Sequence, residues 1–173
     1  MIAFLIVITL LFFCTDTDTA LNFAVANNNM AAALTYHFFH RSATHLVINA
    51  LSLTLIYKPV KKTFSNNRIN TAVLPVMAYA VATVAALCAA KQTPTVGASG
   101  LIYAILGMHL ALTKGYRQHF FVWATIILQT FLGNSNVILH FCAYTIAIAS
   151  MCILQFVSQI NTYKNEINQN KNL

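Results

Sequence analysis

The stretch Thr95-Val96-Gly97-Ala98-Ser99-Gly100-Leu101-Ile102-Tyr103-Ala104-Ile105-Leu106-Gly107-Met108-His109 decides how this chain is read. It is an apolar helix pattern that opens on four small residues, Gly97 to Gly100. The first amide N–H groups of a helix have no partner within the helix. A hydroxyl at Ser99 therefore stands beside groups that favour an anion. That is a suitable place for a nucleophile whose transition state carries an oxyanion. The same residues also read as plain packing, since small residues let membrane helices touch. On this stretch alone both readings stand.

Composition sets the surroundings. The 173 residues are 58% hydrophobic and 8% charged, with a mean hydropathy of +0.67. A soluble domain carries about 25% charged residues. Repeated apolar runs predict an all-α, polytopic membrane protein with one membrane domain and no sizeable soluble one. The net charge of +7 does not point to nucleic acid, because the basic residues punctuate the apolar runs. The partner they imply is the lipid bilayer. Acidic residues are confined to Asp16, Asp18 and Glu166, all outside the apolar runs. Cys14, Cys88, Cys142 and Cys152 fall in or beside predicted spans without a CxxC spacing, so buried free thiols are expected.

Six spans follow along the chain. Met1–Cys14 is short, and it lacks the basic start and small-residue cleavage site of a signal peptide. Thr15–Tyr36 reads as an outer loop around Asn27-Asn28-Asn29, with a helical piece from Met30 to Leu34. The second span with its polar entry, His37–Tyr57, is expected to stop at Lys58-Pro59. Ile69–Ala90, Gly97–Thr113, Phe120–Leu132 and Val137–Ile160 are the third to sixth, with short turns at Lys91–Val96 and Gly133–Asn136. The membrane domain is thus residues 1–160. Residues 161–173 form a polar tail, expected to be frayed. Six spans put Lys58, Lys61, Lys62, Arg68, Lys114, Arg117, Lys164 and Lys171 on one side, and Arg41 and Lys91 on the other. Both termini should then be cytoplasmic, with Ser99 toward the outer face.

Polar groups inside spans are costly and read as functional candidates. His45 and Asn49 share one helix face. Both can donate hydrogen bonds, either to glue helices together or to serve a site. His140 lies near the outer end of the sixth span, at a depth matching Ser99. Tyr103 is one turn inward from Ser99 on the same face. A serine needs a base to act as a nucleophile, and His140 is the best placed. No carboxylate lies in any span to complete a triad. A hydrolase here must work as a Ser99–His140 dyad, its imidazole held by packing against Tyr103. His45 and Asn49 would add donors to an oxyanion hole. Other classes fit less well. His109 and His119 lie away from the other histidines, and no His-Glu-x-x-His occurs, so no metal site is expected. A transporter would place broken helices and charged pairs near the midplane, whereas these polar groups gather toward one face.

At these residues the chain resembles the rhomboid intramembrane serine proteases. Gly97-Ala98-Ser99-Gly100 matches the family's Gly-x-Ser-Gly, and His140 its histidine of the sixth helix. Tyr103 stands where the family has the aromatic that stacks on that histidine. His40, His45 and Asn49 reproduce His-x4-His-x3-Asn. The resemblance covers about Thr35 to Ile160. It implies a six-helix bundle with a water-filled cavity open to the outer face. It also implies single-span membrane proteins as substrates, entering past the fifth helix, and no cofactor. His40 would support the site, and Gly97 would belong to its oxyanion and substrate-binding surroundings. The small bacterial-type members imply a multi-pass protein of the bacterial inner (cytoplasmic) membrane. The compact outline is also similar to rhombosortase-like members, which process C-terminal anchors. A catalytically inactive rhomboid-like protein that binds transmembrane helices is the alternative, and the oligomeric state stays open. The departures are Ala143 and Ala147 where the family has glycines, Leu139 for a small residue, and a loop Thr15–Tyr36 without the Trp-Arg pair. With alanines there, the fourth and sixth helices are expected to pack slightly farther apart.

Overall fold

The computed structural model describes residues 1–25, 30–89, 94–113, 115–132 and 136–170. Asn27–Asn29, the Lys91 turn, Lys114, Gly133–Ser135 and Lys171 lie outside the described residues. The helices are α1 (Ile2–Cys14), α2 (Thr17–Asn22), α3 (Met30–Thr35), α4 (Ala43–Asn66), α5 (Val73–Ala89), α6 (Ser99–Thr113), α7 (Tyr116–Leu132) and α8 (Val137–Asn170). A 3-10 turn over Tyr36–Phe38 precedes α4. Extended pairing among the described residues is a single bridge between Val25 and Thr95.

α6 is the centre of the bundle. Gly100 to Ile105, Gly107, Met108, Leu110 and Leu112 are all buried. A helix apolar on every side belongs inside, and α4, α5 and α8 pack around it. It packs tightly against α8 at Gly107. A Cβ at Gly107 would lie 2.6 Å from the Tyr144 carbonyl oxygen and 2.8 Å from the Ala147 Cβ. Gly107 thus supplies room on α6 where α8 carries alanines.

Outside this core the bundle stays apolar. Leu55, Val76, Phe120, Phe121, Ile127, Leu128, Ile153 and Phe156 are exposed. In a soluble domain such a surface would drive association; it suits a bundle whose solvent is lipid. The cysteines follow the same logic and correct an expectation. Cys14, Cys88 and Cys152 are exposed and Cys142 is half-buried, all free. An apolar thiol on a lipid-facing surface has no need of the core. Within the described residues, Val137–Tyr163 of α8 is the one segment both long and apolar enough to cross a membrane by itself.

Three expected boundaries move. α4 does not begin at His37; Ser42 caps it, its hydroxyl accepting from the His45 N–H at 3.2 Å. Nor does Lys58-Pro59 stop it, for Pro59 sits inside the helix. The missing N–H and ring clash cost about 3 kcal/mol, offset by burial in the main core of Val60, the next residue, and Phe64, just over a turn on. α8 likewise runs on to Asn170 where a frayed tail was expected. No Gly or Pro interrupts Val137–Asn170, so nothing in the local chemistry ends it.

The loop between α1 and α4 folds over one end of the bundle. Asp16 caps α2, accepting from the Thr19 N–H at 2.6 Å. That bond holds its carboxyl below the ordinary value of 3.8. Val25, Ala33 and Tyr36 pack with Ala86, Ala89 and Leu139. Phe23 stacks on Phe39 at 4.2 Å. The Tyr79 hydroxyl ties α5 to this cap by donating to the Leu34 carbonyl at 2.5 Å.

Candidate active site

Ser99 opens α6 directly under that cap. The segment leading to it is pinned on three sides. Val25 and Thr95 exchange backbone hydrogen bonds, at 2.9 Å from the Val25 N–H and 3.4 Å from the Thr95 N–H. The Gly97 N–H donates to the Tyr36 carbonyl at 2.9 Å. The Asn136 amide donates to the Thr95 hydroxyl at 3.1 Å. Asn136 also caps α8, accepting from the Leu139 N–H at 3.0 Å through its side chain and from the His140 N–H at 3.2 Å through its carbonyl. One side chain therefore fixes the start of α8 against the approach to Ser99.

The result is a close pair. His140 Nε2 lies 2.7 Å from Ser99 Oγ. The imidazole is almost fully buried and Ser99 half-buried. Tyr103 stacks on the imidazole, centroids 4.6 Å apart and planes inclined by 27°. The Ser99 N–H, in the first turn of α6, has no intrahelical acceptor.

Both glycines around Ser99 have a reason. Gly97 has φ +118°, a conformation that costs any L side chain energy. A Cβ there would meet His45 Cε1, and would lie 2.7 Å from His45 Nε2 and 3.2 Å from Asn49 Nδ2. So the structure brings His45 and Asn49 against the backbone two residues before Ser99. At Gly100 a Cβ would meet the Tyr36 hydroxyl and come within 2.7 Å of Leu139 Cδ2. Gly97 serves conformation and access; Gly100 serves packing.

His40 stands outside α4, in the loop before it. Its Nε2 accepts from the Asn49 amide at 3.0 Å, and its ring meets that of His45 edge-on at 5.2 Å. The Asn49 NH₂ has two protons; one bonds His40 and the second is left for another acceptor. His37 is buried elsewhere, 3.4 Å from the Thr83 hydroxyl. His119 lies away from Ser99, bonded to the Tyr144 hydroxyl. Among the described residues no three metal-binding side chains gather.

Three contributors escaped the sequence reading: Tyr36, Asn136 and Gln129. Gln129 Oε1 lies 2.7 Å from His140 Nδ1, and its Nε2 donates to the Tyr103 hydroxyl at 2.7 Å. The imidazole is thus held by a hydrogen bond as well as by packing, which corrects the expectation of packing alone. The available signal was an amide within the apolar run Phe120–Leu132.

A bundle with a lipid-compatible surface holds a serine hydroxyl against an imidazole, with no carboxylate beside them among the described residues, and this defines the class as a helical membrane bundle carrying a serine–histidine pair. The chain belongs to the rhomboid family: the Rhomboid domain model matches residues 27–162. The family is membrane-integral and consists in general of intramembrane serine proteases, with inactive homologues among them. No curated protein gives a significant match.

Proposed function

We propose that this chain is an intramembrane serine endopeptidase that cleaves single-span membrane proteins near the outer boundary of their span, using Ser99 and His140. The observation that carries the reading is the 2.7 Å contact between Ser99 Oγ and His140 Nε2 under a stacked tyrosine. Six spans, formed by α1 and α4 to α8, with both termini cytoplasmic, complete the picture. Residues 1–160 are the protease domain, and the protein resides in a bacterial inner membrane.

His140 Nε2 takes the Ser99 proton as Oγ attacks the peptide carbonyl of an unwound substrate segment. The oxyanion accepts hydrogen bonds from the Ser99 N–H, His45 and the second Asn49 amide proton. His140 then gives its proton to the leaving amine. Water hydrolyses the acyl-enzyme by the same exchange in reverse. A dry site could not complete this last step, so water reaches Ser99 from the outer end. No step needs a metal or organic cofactor.

The test is covalent labelling by a fluorophosphonate in detergent, with cleavage of a single-span membrane protein measured beside it. Wild type should label and cut; Ser99→Ala and His140→Ala should remain folded and do neither. Cleavage by purified Ser99→Ala would reject the reading. A folded wild type that neither labels nor cuts would favour an inactive protein that binds transmembrane helices.

A further inference from the structure

We propose that Gln129 is a positioning residue for the Ser99–His140 pair: its amide fixes the imidazole as the Nδ1–H form and makes that form depend on the docking of α7. The proposal rests on the serine-protease reading of the same site.

A neutral imidazole carries one N–H and one acceptor nitrogen. An amide oxygen can only accept. With Gln129 Oε1 at 2.7 Å, the proton belongs on His140 Nδ1. Nε2 then presents its lone pair to the Ser99 hydroxyl, also at 2.7 Å. The opposite tautomer would put two acceptors face to face at Nδ1 and a proton between Nε2 and Oγ, where a base is needed. In serine triads a carboxylate enforces this choice. Here Asp16 caps α2, Asp18 lies in its first turn, and Glu166 stands near the far end of α8. An uncharged acceptor performs the orientation instead.

The amide does a second thing. Its Nε2 donates to the Tyr103 hydroxyl at 2.7 Å, and Tyr103 stacks on His140. Gln129, His140 and Tyr103 therefore form a closed set of three contacts, one from each of α7, α8 and α6. α7 is otherwise lightly embedded: among its described side chains, Ile126 is buried. A lateral movement of α7 withdraws the acceptor from Nδ1 and frees the ring to change tautomer. Orientation of the base is thereby coupled to the seat of α7.

The experiment uses the full chain in detergent, comparing wild type, Ser99→Ala, Gln129→Leu and Gln129→Glu. Fluorophosphonate labelling rate is one readout. The other is the ¹⁵N shift of the His140 ring nitrogens, which reports the tautomer without any activity. General-base catalysis contributes about 10²–10⁴-fold, and partial misorientation should remove roughly 10- to 100-fold of labelling rate in Gln129→Leu. Leucine is similar in volume and apolar, so the fold should persist. Gln129→Glu keeps an acceptor on Nδ1 and should label close to the wild-type rate. Wild type should show the Nδ1–H form and Gln129→Leu a mixture. An Nε2–H form in wild type, a wild-type rate in Gln129→Leu, or equal loss in Leu and Glu variants would each overturn the proposal. Labelling of wild type no faster than Ser99→Ala would instead reject the protease reading itself, and this proposal with it.

Discussion

Replacing Gly97 by alanine separates the two demands made on that position. Its φ of +118° is strained for any L side chain, at about 1–3 kcal/mol. In a chain of this size that lowers the melting temperature by roughly 2–4 °C per kcal/mol. The new Cβ also arrives 2.7 Å from His45 Nε2 and 3.2 Å from Asn49 Nδ2. Both are tips of side chains, so moving them costs little stability. The chemistry is less forgiving, because each lost oxyanion donor removes on the order of 100- to 1,000-fold in rate. Gly97→Ala should therefore melt about 2–12 °C lower yet lose at least about 100-fold in kcat, with the Ser99–His140 contact intact. The assay is cleavage of a single-span substrate in liposomes, with thermal unfolding in detergent as control. A folded Gly97→Ala variant cutting at the wild-type rate would refute the placement of oxyanion donors on α4.

Four further outcomes follow from other contacts. Gly107→Ala sets a methyl 2.6 Å from the Tyr144 carbonyl and 2.8 Å from the Ala147 Cβ. It should destabilise by about 1–3 kcal/mol in a thermal melt, since backbone must move. Asn136→Ala removes the α8 cap and the tie to Thr95; a loss of about 0.5–2 kcal/mol is expected for the cap, with slower fluorophosphonate labelling. Asn49→Ala should lower kcat by on the order of 100-fold or more with little change in KM, because its contribution is confined to the transition state. The depressed pKa of Asp16 means its cap is fully present above 3.8 and is lost as pH falls through the lower folded value. The Thr19 amide resonance should shift on acid titration with a midpoint below 3.8.

The residues now grouped around Ser99 were mostly legible because helix spacing and membrane cost act together. His45 and Asn49 are one turn apart on α4, and both lie against Gly97. Ser99 and His140 each stand near the start of an apolar helix, and they meet. Tyr103 follows one turn after Ser99 and stacks on the imidazole. What stayed hidden depended on distant neighbours. Gln129 is a lone amide in its run, with no periodic partner to mark the face it uses. Pro59 reads as a stop until the burial of Val60 and Phe64 is known. Asn136 looks like a turn residue, and its bond to Thr95 spans 41 positions of chain. Tyr36 sits in a polar loop by sequence, yet it is fully buried, donating to the Ala82 carbonyl at 3.2 Å.

The brevity of α6 has a consequence for the chain before it. Fifteen residues make a rod of about 22 Å, several ångströms short of a hydrocarbon slab about 30 Å thick. If its Thr113 end reaches one headgroup plane, Pro94–Ala98 must dip below the other. Bare peptide groups are not tolerated at that depth. The bridge to Val25 and the Tyr36 carbonyl give this descending segment the backbone partners that hydrocarbon would deny it. Val25 and the 3-10 turn over Tyr36–Phe38 thus act as a stopper for that backbone, and removing them would bare its peptide groups to lipid.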